Sequence, residues 1–263
     1  MSNKRSPLKD RPLRNPGQSL DEQIQDFIYD HMLWPMLSAL FFVLIAGLEW
    51  FRYFRTIPPS PGLYTFGAGA IIAFAAYRIF KGLPRLRALK QGRDGEKAVG
   101  QFLEVLRERG YRVFHDVIGE AFNVDHVLIG PAGIFTVETK TYSKPIGDAR
   151  VVFDGEAIRI DGFEPDRDPV VQAKAQASWL RELLAESTGR KFEVKSVIVF
   201  PGWFVDYTGP KERTIWVLNP KALPSFLGHE PARLSQEDIK LASFHLSRFV
   251  RTKENDTDRV KNE

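Results

Sequence analysis

The stretch Val124–Lys140 constrains the fold more than any other part of the chain: two apolar runs flank a Gly130-Pro131-Ala132-Gly133 turn, the sequence form of a β-hairpin. A turn centred between Pro131 and Ala132 sets residues whose numbers sum to 263 opposite one another, and Asp125 with Glu138 is such a pair. Directly opposed side chains have Cβ atoms about 5 Å apart. Two carboxylates at that separation repel unless a cation lies between them, and a divalent ion with oxygen ligands at about 2.1 Å fits the gap. Lys140, two residues past Glu138, projects from the same face. An Asp followed by Glu-x-Lys on the next strand is the residue set that metal-dependent phosphodiester hydrolysis requires. The competing reading is a surface hairpin whose charges are merely solvated. Against it, Ile134–Val137 is largely apolar on both faces, which places the charges at the edge of a core.

Met32–Leu48 is an uncharged run of 17 residues and Ile57–Tyr77 one of 21, separated only by Glu49–Thr56. At about 1.5 Å per residue both lengths approach the hydrocarbon thickness of a bilayer, the first marginally because Pro35 interrupts it. Two short spans with a tight link read as a helical hairpin in a membrane; the alternative is a buried helical pair in a soluble protein. Lys4, Arg5, Lys9, Arg11 and Arg14 precede the hairpin, and Arg78, Lys81, Arg85, Arg87, Lys90 and Arg93 follow it, whereas the link carries only Arg52 and Arg55. The positive-inside rule then gives a multi-pass protein of the inner (cytoplasmic) membrane with both termini in the cytoplasm. A cleaved signal peptide is not expected, since the apolar run follows a mostly polar lead and no small-residue cleavage site comes after it. Trp34, Trp50, Tyr53 and Tyr77 lie near the expected ends of the spans, where interfacial aromatics are enriched.

A formal net charge of +4 and a pI near 9.2 suit a phosphate-rich partner, nucleic acid or anionic lipid. The chain has no cysteine, which excludes disulfides and cysteine-ligated zinc or iron–sulfur sites. The expected organisation is a tail with a short amphipathic helix (1–31), a transmembrane hairpin (32–80), a basic linker (81–92), an α/β domain (93–250) and a charged tail (251–263). Ser19 with Glu22 reads as a capping box ahead of Leu20, Ile24, Phe27 and Ile28. A helix opens near Asp94 and runs to about Arg109, where Gly110 stops it. Strands follow at Tyr111–Val117 and in the hairpin, then a smaller hairpin at Val151–Phe153 and Ala157–Ile160. Asp168 and Pro169 cap a helix through about Glu186, with Val171, Ala175, Leu180 and Leu184 on its apolar side. Val194–Phe200 and Thr214–Leu218 read as strands, and Ser235–Val250 as a closing helix. The fold class is one mixed α/β domain flanked by helices.

Gly95-Glu96, Val124-Asp125-His126, Gly130–Phe135 and Val137-Glu138-Thr139-Lys140, in that order, resemble a nuclease-related (NERD) domain over residues 93–206. This is a branch of the PD-(D/E)XK restriction-endonuclease-like superfamily. Asp168-Pro169-Val170-Val171-Gln172 resembles the Asn-Pro-x-x-Gln that begins the next helix in that family, with Asp in place of Asn able to cap equally well. The resemblance implies that Asp125, Glu138 and the Thr139 carbonyl hold Mg2+, with Mn2+ as a substitute, and that Lys140 orients or deprotonates the attacking water. It further implies that Glu96 completes the carboxylate cluster and that Gln172 hydrogen-bonds phosphate, water or Lys140.

The expected function is therefore a membrane-anchored, Mg2+-dependent nuclease acting on DNA, or less readily RNA, at the cytoplasmic face, with a lipid bilayer and a second copy of the chain as further partners. The alternative is a catalytically silent nucleic-acid-binding or membrane scaffold module that retains the nuclease fold. His126 and His115 read as structural rather than ligating. Gln176, one turn after Gln172, could face the same substrate but reads first as an ordinary helix residue, and Trp203, Phe204 and Tyr207 read as core packing before base stacking.

Overall fold

The structure, a computed structural model, describes residues 13–55, 60–119, 122–210 and 214–262, with the backbone alone for 254–262. Residues 1–12 of the expected tail 1–31, and the start of the second apolar run, 57–59, lie outside the described residues. The chain divides into two compact units, Met1–Gln18 with Gly92–Glu263, and Ser19–Gln91.

The apolar unit is helical. Helix α1 (Gln18–Ile28) begins one residue before the expected capping box, because Gln18 Oε1 reaches back to accept the Asn15 N–H at 3.1 Å. It buries Ile24 and Phe27 against Leu86. A five-residue π-helical turn, Tyr29–Leu33, precedes α2 (Trp34–Phe54), so Pro35, which has no N–H to donate, sits where the helix changes register. Glu49 is satisfied by the Arg52 guanidinium at 2.8 Å and the Ser60 N–H at 3.2 Å, and Trp50 Nε1 donates to Thr65 Oγ1 at 3.2 Å. Helix α3 (Pro61–Glu104) then runs for 44 residues. The stretch 81–92, anticipated as a basic linker, is helix throughout. Its Leu86 and Leu89 pack on α1, and Gly82 brings it so close that a Cβ there would lie 3.1 Å from the Phe27 ring. The helix anticipated from Asp94 is thus the end of α3, closed by a 3-10 turn (Val105–Arg109) and by Gly110 at φ 82°. Two helical stretches, Gln18–Phe54 and Pro61–Arg109, are long and apolar enough to cross a bilayer, and only 6% and 11% of their apolar windows is buried.

In the α/β unit, strands β1 (Arg112–Ile118), β2 (Asn123–Gly130) and β3 (Gly133–Thr139) form an antiparallel meander. Strands β4 (Arg150–Phe153) and β5 (Ile158–Ile160), helix α4 (Pro169–Thr188), strands β6 (Val194–Val199), β7 (Phe204–Tyr207) and β8 (Ile215–Leu218), and helices α5 (Leu223–His229) and α6 (Gln236–Asn262) follow. The main sheet has the order β1-β2-β3-β6-β8, with β6 and β8 parallel to β3; a smaller sheet has the order β5-β4-β7. This is the mixed α/β core anticipated, with β7 and α5 added and α6 running past Val250. The β2–β3 register is also the one anticipated: His126 pairs with Val137, Val127 with Thr136 and Gly130 with Gly133. Gly133 has φ 131°, and a Cβ on Gly130 would come within 2.2 Å of the Tyr111 ring, so both glycines are demanded at this turn.

Side chains cover both faces of the main sheet, which is why its strands read as continuous apolar runs. Leu103 and Leu106 near the start of the domain, with Leu223 and Leu227 of α5, cover Phe135, Val137 and Trp216. Leu180 and Leu184 of α4, with Leu246 of α6, cover Val127, Ile129 and Ile134 on the other face. Each fully buried Leu or Ile contributes roughly 1.5–3 kcal/mol. The α4 stripe is rotated from the one anticipated: Val171 and Ala175 are exposed, and the buried residues are Pro169, Val170, Ala173, Gln176, Ala177, Leu180 and Leu184. The polar Gln172 and Gln176 face inward at the helix's first two turns, and their hydrogen bonds explain the rotation.

Candidate active site

Asp125 stands one residue before the paired part of β2, and Glu138 one residue past Val137 on β3. Their strands are joined at this level by the Thr139 N–H, which donates to Asp125 Oδ2 at 2.7 Å. The other neighbour of β3 is β6, where Glu138 pairs with Ile198 and the Lys140 N–H bonds the Val199 carbonyl at 2.9 Å. Glu138 is 3% exposed, and both of its oxygens accept hydrogen bonds. Its Oε1 accepts from Lys140 Nζ at 2.7 Å and Gln172 Nε2 at 2.8 Å, and its Oε2 accepts from Gln176 Nε2 at 2.6 Å. Lys140 Nζ also donates to Gln172 Oε1 at 2.8 Å.

Helix α4 delivers the two glutamines. Asp168 Oδ1 accepts the Val170 N–H at 2.8 Å as the N-cap, and Pro169 occupies the first turn. Gln172 and Gln176 then follow one turn apart on the same face. The arrangement anticipated for Gln172, bonded to Lys140, is present, and Gln176 joins the cluster through Glu138. Gln176 is 1% exposed, and its Oε1 has no hydrogen-bond partner among the described residues.

Glu96 arrives from α3, and Gly95 is what lets it arrive. A Cβ on Gly95 would lie 1.9 Å from Thr141 Oγ1, just beyond the end of β3, so the helix can lie this close only with glycine there. Burial, then the negative charges of Asp116 and Glu138, push the Glu96 carboxyl from 4.5 up to about 8. Burial, then Glu138 and Glu96, likewise hold Asp125 well above the usual carboxylate range.

Asp116, which the sequence reading passed over, belongs to this cluster. The β1–β2 ladder pairs His115 with His126 and Val117 with Val124, so Asp116 stands level with Asp125, but no pair forms between them. Asp116 has φ 50°, is 2% exposed, and accepts from Arg14 Nε at 2.8 Å and Asn123 Nδ2 at 3.4 Å. The signal for it was an aspartate in the middle of an apolar strand. His126 faces away from the carboxylates, as anticipated. It is buried, with its Nδ1 2.9 Å from His115 Nδ1 and its Nε2 3.4 Å from Thr139 Oγ1, and burial holds it well below the usual imidazole range. Trp203 is core, whereas Phe204 is 64% exposed.

No group of three or more His, Cys, Asp or Glu side chains is arranged as metal ligands among the described residues. The donor set is nonetheless all hard oxygen: two adjacent carboxylates, the Thr139 carbonyl beside them, and an unpartnered buried amide oxygen. It fits a small hard cation and does not fit a thiolate- or imidazole-loving one.

A mixed sheet carrying Asp125, Glu138 and Lys140 at one end, with a helix bringing Glu96 and another bringing Gln172, defines a nuclease-like α/β domain. Residues 91–201 match the family model described as NERD, nuclease-related domain. An uncharacterized protein of Bacillus anthracis is 39% identical over 57 residues, covering 20% of this chain and 27% of that protein's length. No solved structure matches the chain.

Proposed function

We propose that the chain is a membrane-anchored, Mg2+-dependent nuclease that hydrolyses phosphodiester bonds of nucleic acid, DNA in preference to RNA, at the cytoplasmic face. The observation that carries this reading is Glu138, held by Lys140, Gln172 and Gln176 directly beside Asp125. Asp125, Glu138 and the Thr139 carbonyl would hold Mg2+, or Mn2+ in its place. When bound, the ion supplies Lewis-acid polarisation of the phosphate and a more acidic water. The Thr139 N–H fixes Asp125 through Oδ2. Gln176 holds the far oxygen of Glu138, so that carboxylate keeps one orientation. Lys140, steered by Gln172, places an ammonium where it orients or deprotonates the attacking water and offsets charge developing on the phosphorane. Glu96, whose carboxyl is pushed up to about 8 by burial, would take or give a proton at the cluster's edge. A groove of about 840 Å³ lined by Lys144, Phe204, Tyr207 and Lys221 opens beyond the ends of β6 and β8, the sheet end that carries Lys140. Exposed lysines with aromatic faces suit a phosphate backbone with bases.

Connectivity supports the membrane reading. Residues 13–18 and the chain from Gly92 onward fold into one unit, and the apolar unit is inserted between them. An inserted segment of this kind must leave the bilayer on the side from which it entered, which two spans accomplish. With the basic flanks, this favours both ends in the cytoplasm. Pairing of two copies would allow both strands of a duplex to be cut.

The test is to incubate the full chain, reconstituted in a bilayer nanodisc, with plasmid, single-stranded DNA and structured RNA, with Mg2+, Mn2+ or chelator. Metal-dependent cleavage that disappears in Lys140→Ala supports the reading and names the substrate. Salt-dependent binding without cleavage, unchanged in Lys140→Ala, would replace it with the silent binding module.

A further inference from the structure

We propose that the groove beyond the ends of β6 and β8 takes an unpaired nucleic-acid strand, Phe204 stacking on a base while Lys144 and Lys221 hold phosphates. The inference rests on the nuclease reading above and names the form of its substrate: a duplex enters only where its strands have separated.

Charge selects this groove for a phosphate backbone. It is lined by two exposed lysines and, among the described residues, by no carboxylate. Neither lysine has an ion-pair partner among the described residues. A cavity of about 380 Å³ at the opposite end of the sheet, beside the β2–β3 turn, is built differently. There Lys195 pairs with Glu230 at 3.0 Å, and Arg233 pairs with Glu193 at 3.2 Å and Glu230 at 3.3 Å, so the charges neutralise one another. A polyanion gains most where the cations are open.

Charge does not separate one strand from two, but the aromatic lining does. Trp203 is 2% exposed, Tyr207 rests on Phe153 with ring centroids 5.6 Å apart, and Phe226 rests on Trp216 at 5.3 Å. Phe204 is different: it is 64% exposed and has no ring against it among the described residues. Its backbone is fixed by the β4–β7 ladder, where it pairs with Arg150, so the ring is presented from a strand and not from a loose loop. In a duplex the base faces are covered by their neighbours and only edges and phosphates are offered. An unpaired strand offers the faces themselves, and a phenyl ring between two lysines matches its alternation of base and phosphate.

The groove is joined to Lys140 by the chain that leaves β3. The Lys140 N–H bonds the Val199 carbonyl at 2.9 Å, the Tyr142 carbonyl accepts from Trp203 Nε1 at 3.2 Å, and Lys144 Nζ lies 5.7 Å from the centre of the Trp203 ring. Trp203 is held in turn by Asn219 Nδ2, which donates to its carbonyl at 2.9 Å. Lys144 is four residues past Lys140, so their Cα atoms are at most about 14 Å apart. A strand gripped at Lys144 therefore passes the candidate site within a few nucleotides.

The test measures binding to the full chain in phosphatidylcholine nanodiscs by fluorescence anisotropy, with cleavage prevented in two ways, by chelator and by Lys140→Ala in Mg2+. The probes are oligothymidylate, an abasic strand of the same length and a duplex of the same length, with a polyglutamate peptide as the plain polyanion. Oligothymidylate should bind roughly 5–150-fold more tightly than the abasic strand, the effect of one stacked base, and more tightly than the duplex or the peptide. Phe204→Leu, a change at an exposed side chain, should abolish the difference between oligothymidylate and the abasic strand. The Lys144→Gln, Lys221→Gln double variant should weaken both strands alike and lower the slope of log affinity against log salt by about 0.7 per lysine. A duplex, abasic strand or peptide bound as tightly as oligothymidylate, or a preference for bases unchanged in Phe204→Leu, overturns the inference. Metal-dependent cleavage by the wild type, measured beside it, leaves the nuclease reading standing in that case. A wild type that neither binds nor cuts nucleic acid removes both.

Discussion

Gln176 Nε2 donates to Glu138 Oε2 at 2.6 Å across 38 positions of sequence, and the same nitrogen donates to the Asn123 carbonyl at 2.9 Å. One side chain thus ties the end of β3 that carries the candidate site to the first residue of β2. Gln176→Leu deprives a buried carboxylate oxygen of its donor and is expected to cost about 1.5–3 kcal/mol. Gln172→Ala leaves Glu138 bonded to Lys140 but lets the ammonium swing, and cleavage should fall by about 10–100-fold with little loss of stability. Urea denaturation and initial cleavage rates, measured together, separate the two effects. Equal stability losses in both variants would contradict the assignment.

Gly95→Ala places a methyl into Thr141. The overpacking should destabilise the domain by about 1–3 kcal/mol and displace Glu96. Adding Thr141→Gly should restore most of the loss, and a double-mutant cycle in urea reads the coupling. Additive losses would place the strain elsewhere.

Glu96, raised from 4.5 to about 8, makes the metal-free protein less stable as pH rises. Between those values the folded state binds more protons than the unfolded state, so its contribution to stability is fully present below about pH 4.5 and lost as pH passes through 8. Asp125 acts in the same direction. Buried His126 and His115, held below the usual imidazole range, work in the opposite direction up to about pH 6.5, so melting temperatures in chelator should fall from pH 7 to 8.5, and Glu96→Gln or Asp125→Asn should flatten that slope. Asp125→Asn should also raise apo stability at neutral pH. Saturating Mg2+ should flatten the wild-type slope too. A slope unchanged in both variants would count against the charge cluster.

A fragment starting at Ala88 keeps every anticipated site residue yet lacks Arg14. It leaves Asp116 as a buried carboxylate without that cation, a loss of about 3–5 kcal/mol. It should be unfolded or weakly folded at 37 °C by circular dichroism, and Asp116→Asn should recover much of its stability. A fragment as stable as the α/β unit of the full chain would show that the N-terminal segment is dispensable.

Local chemistry was legible from the residues themselves. The Gly-Pro-Ala-Gly turn determined the β2–β3 register, and with it Asp125 beside Glu138, because a two-residue loop admits one pairing. Asp168 and Pro169 determined where α4 begins, because the cap bond is made within three residues. The apolar runs determined two long exposed helices. Tertiary structure decided the rest. Residues 81–92 continue a helix because α1, far earlier in the chain, covers their leucines, and no local stop signal was strong enough to end it. The small sheet has a third strand, β7, because β4 lies parallel to it across more than fifty residues. Gln176 turns inward because a carboxylate on another strand needs its N–H, which rotates the buried stripe of α4 away from Val171. Arg14 meets Asp116 across 102 positions, a pairing invisible to any periodicity, since two buried opposite charges find each other only once the fold has removed water from both.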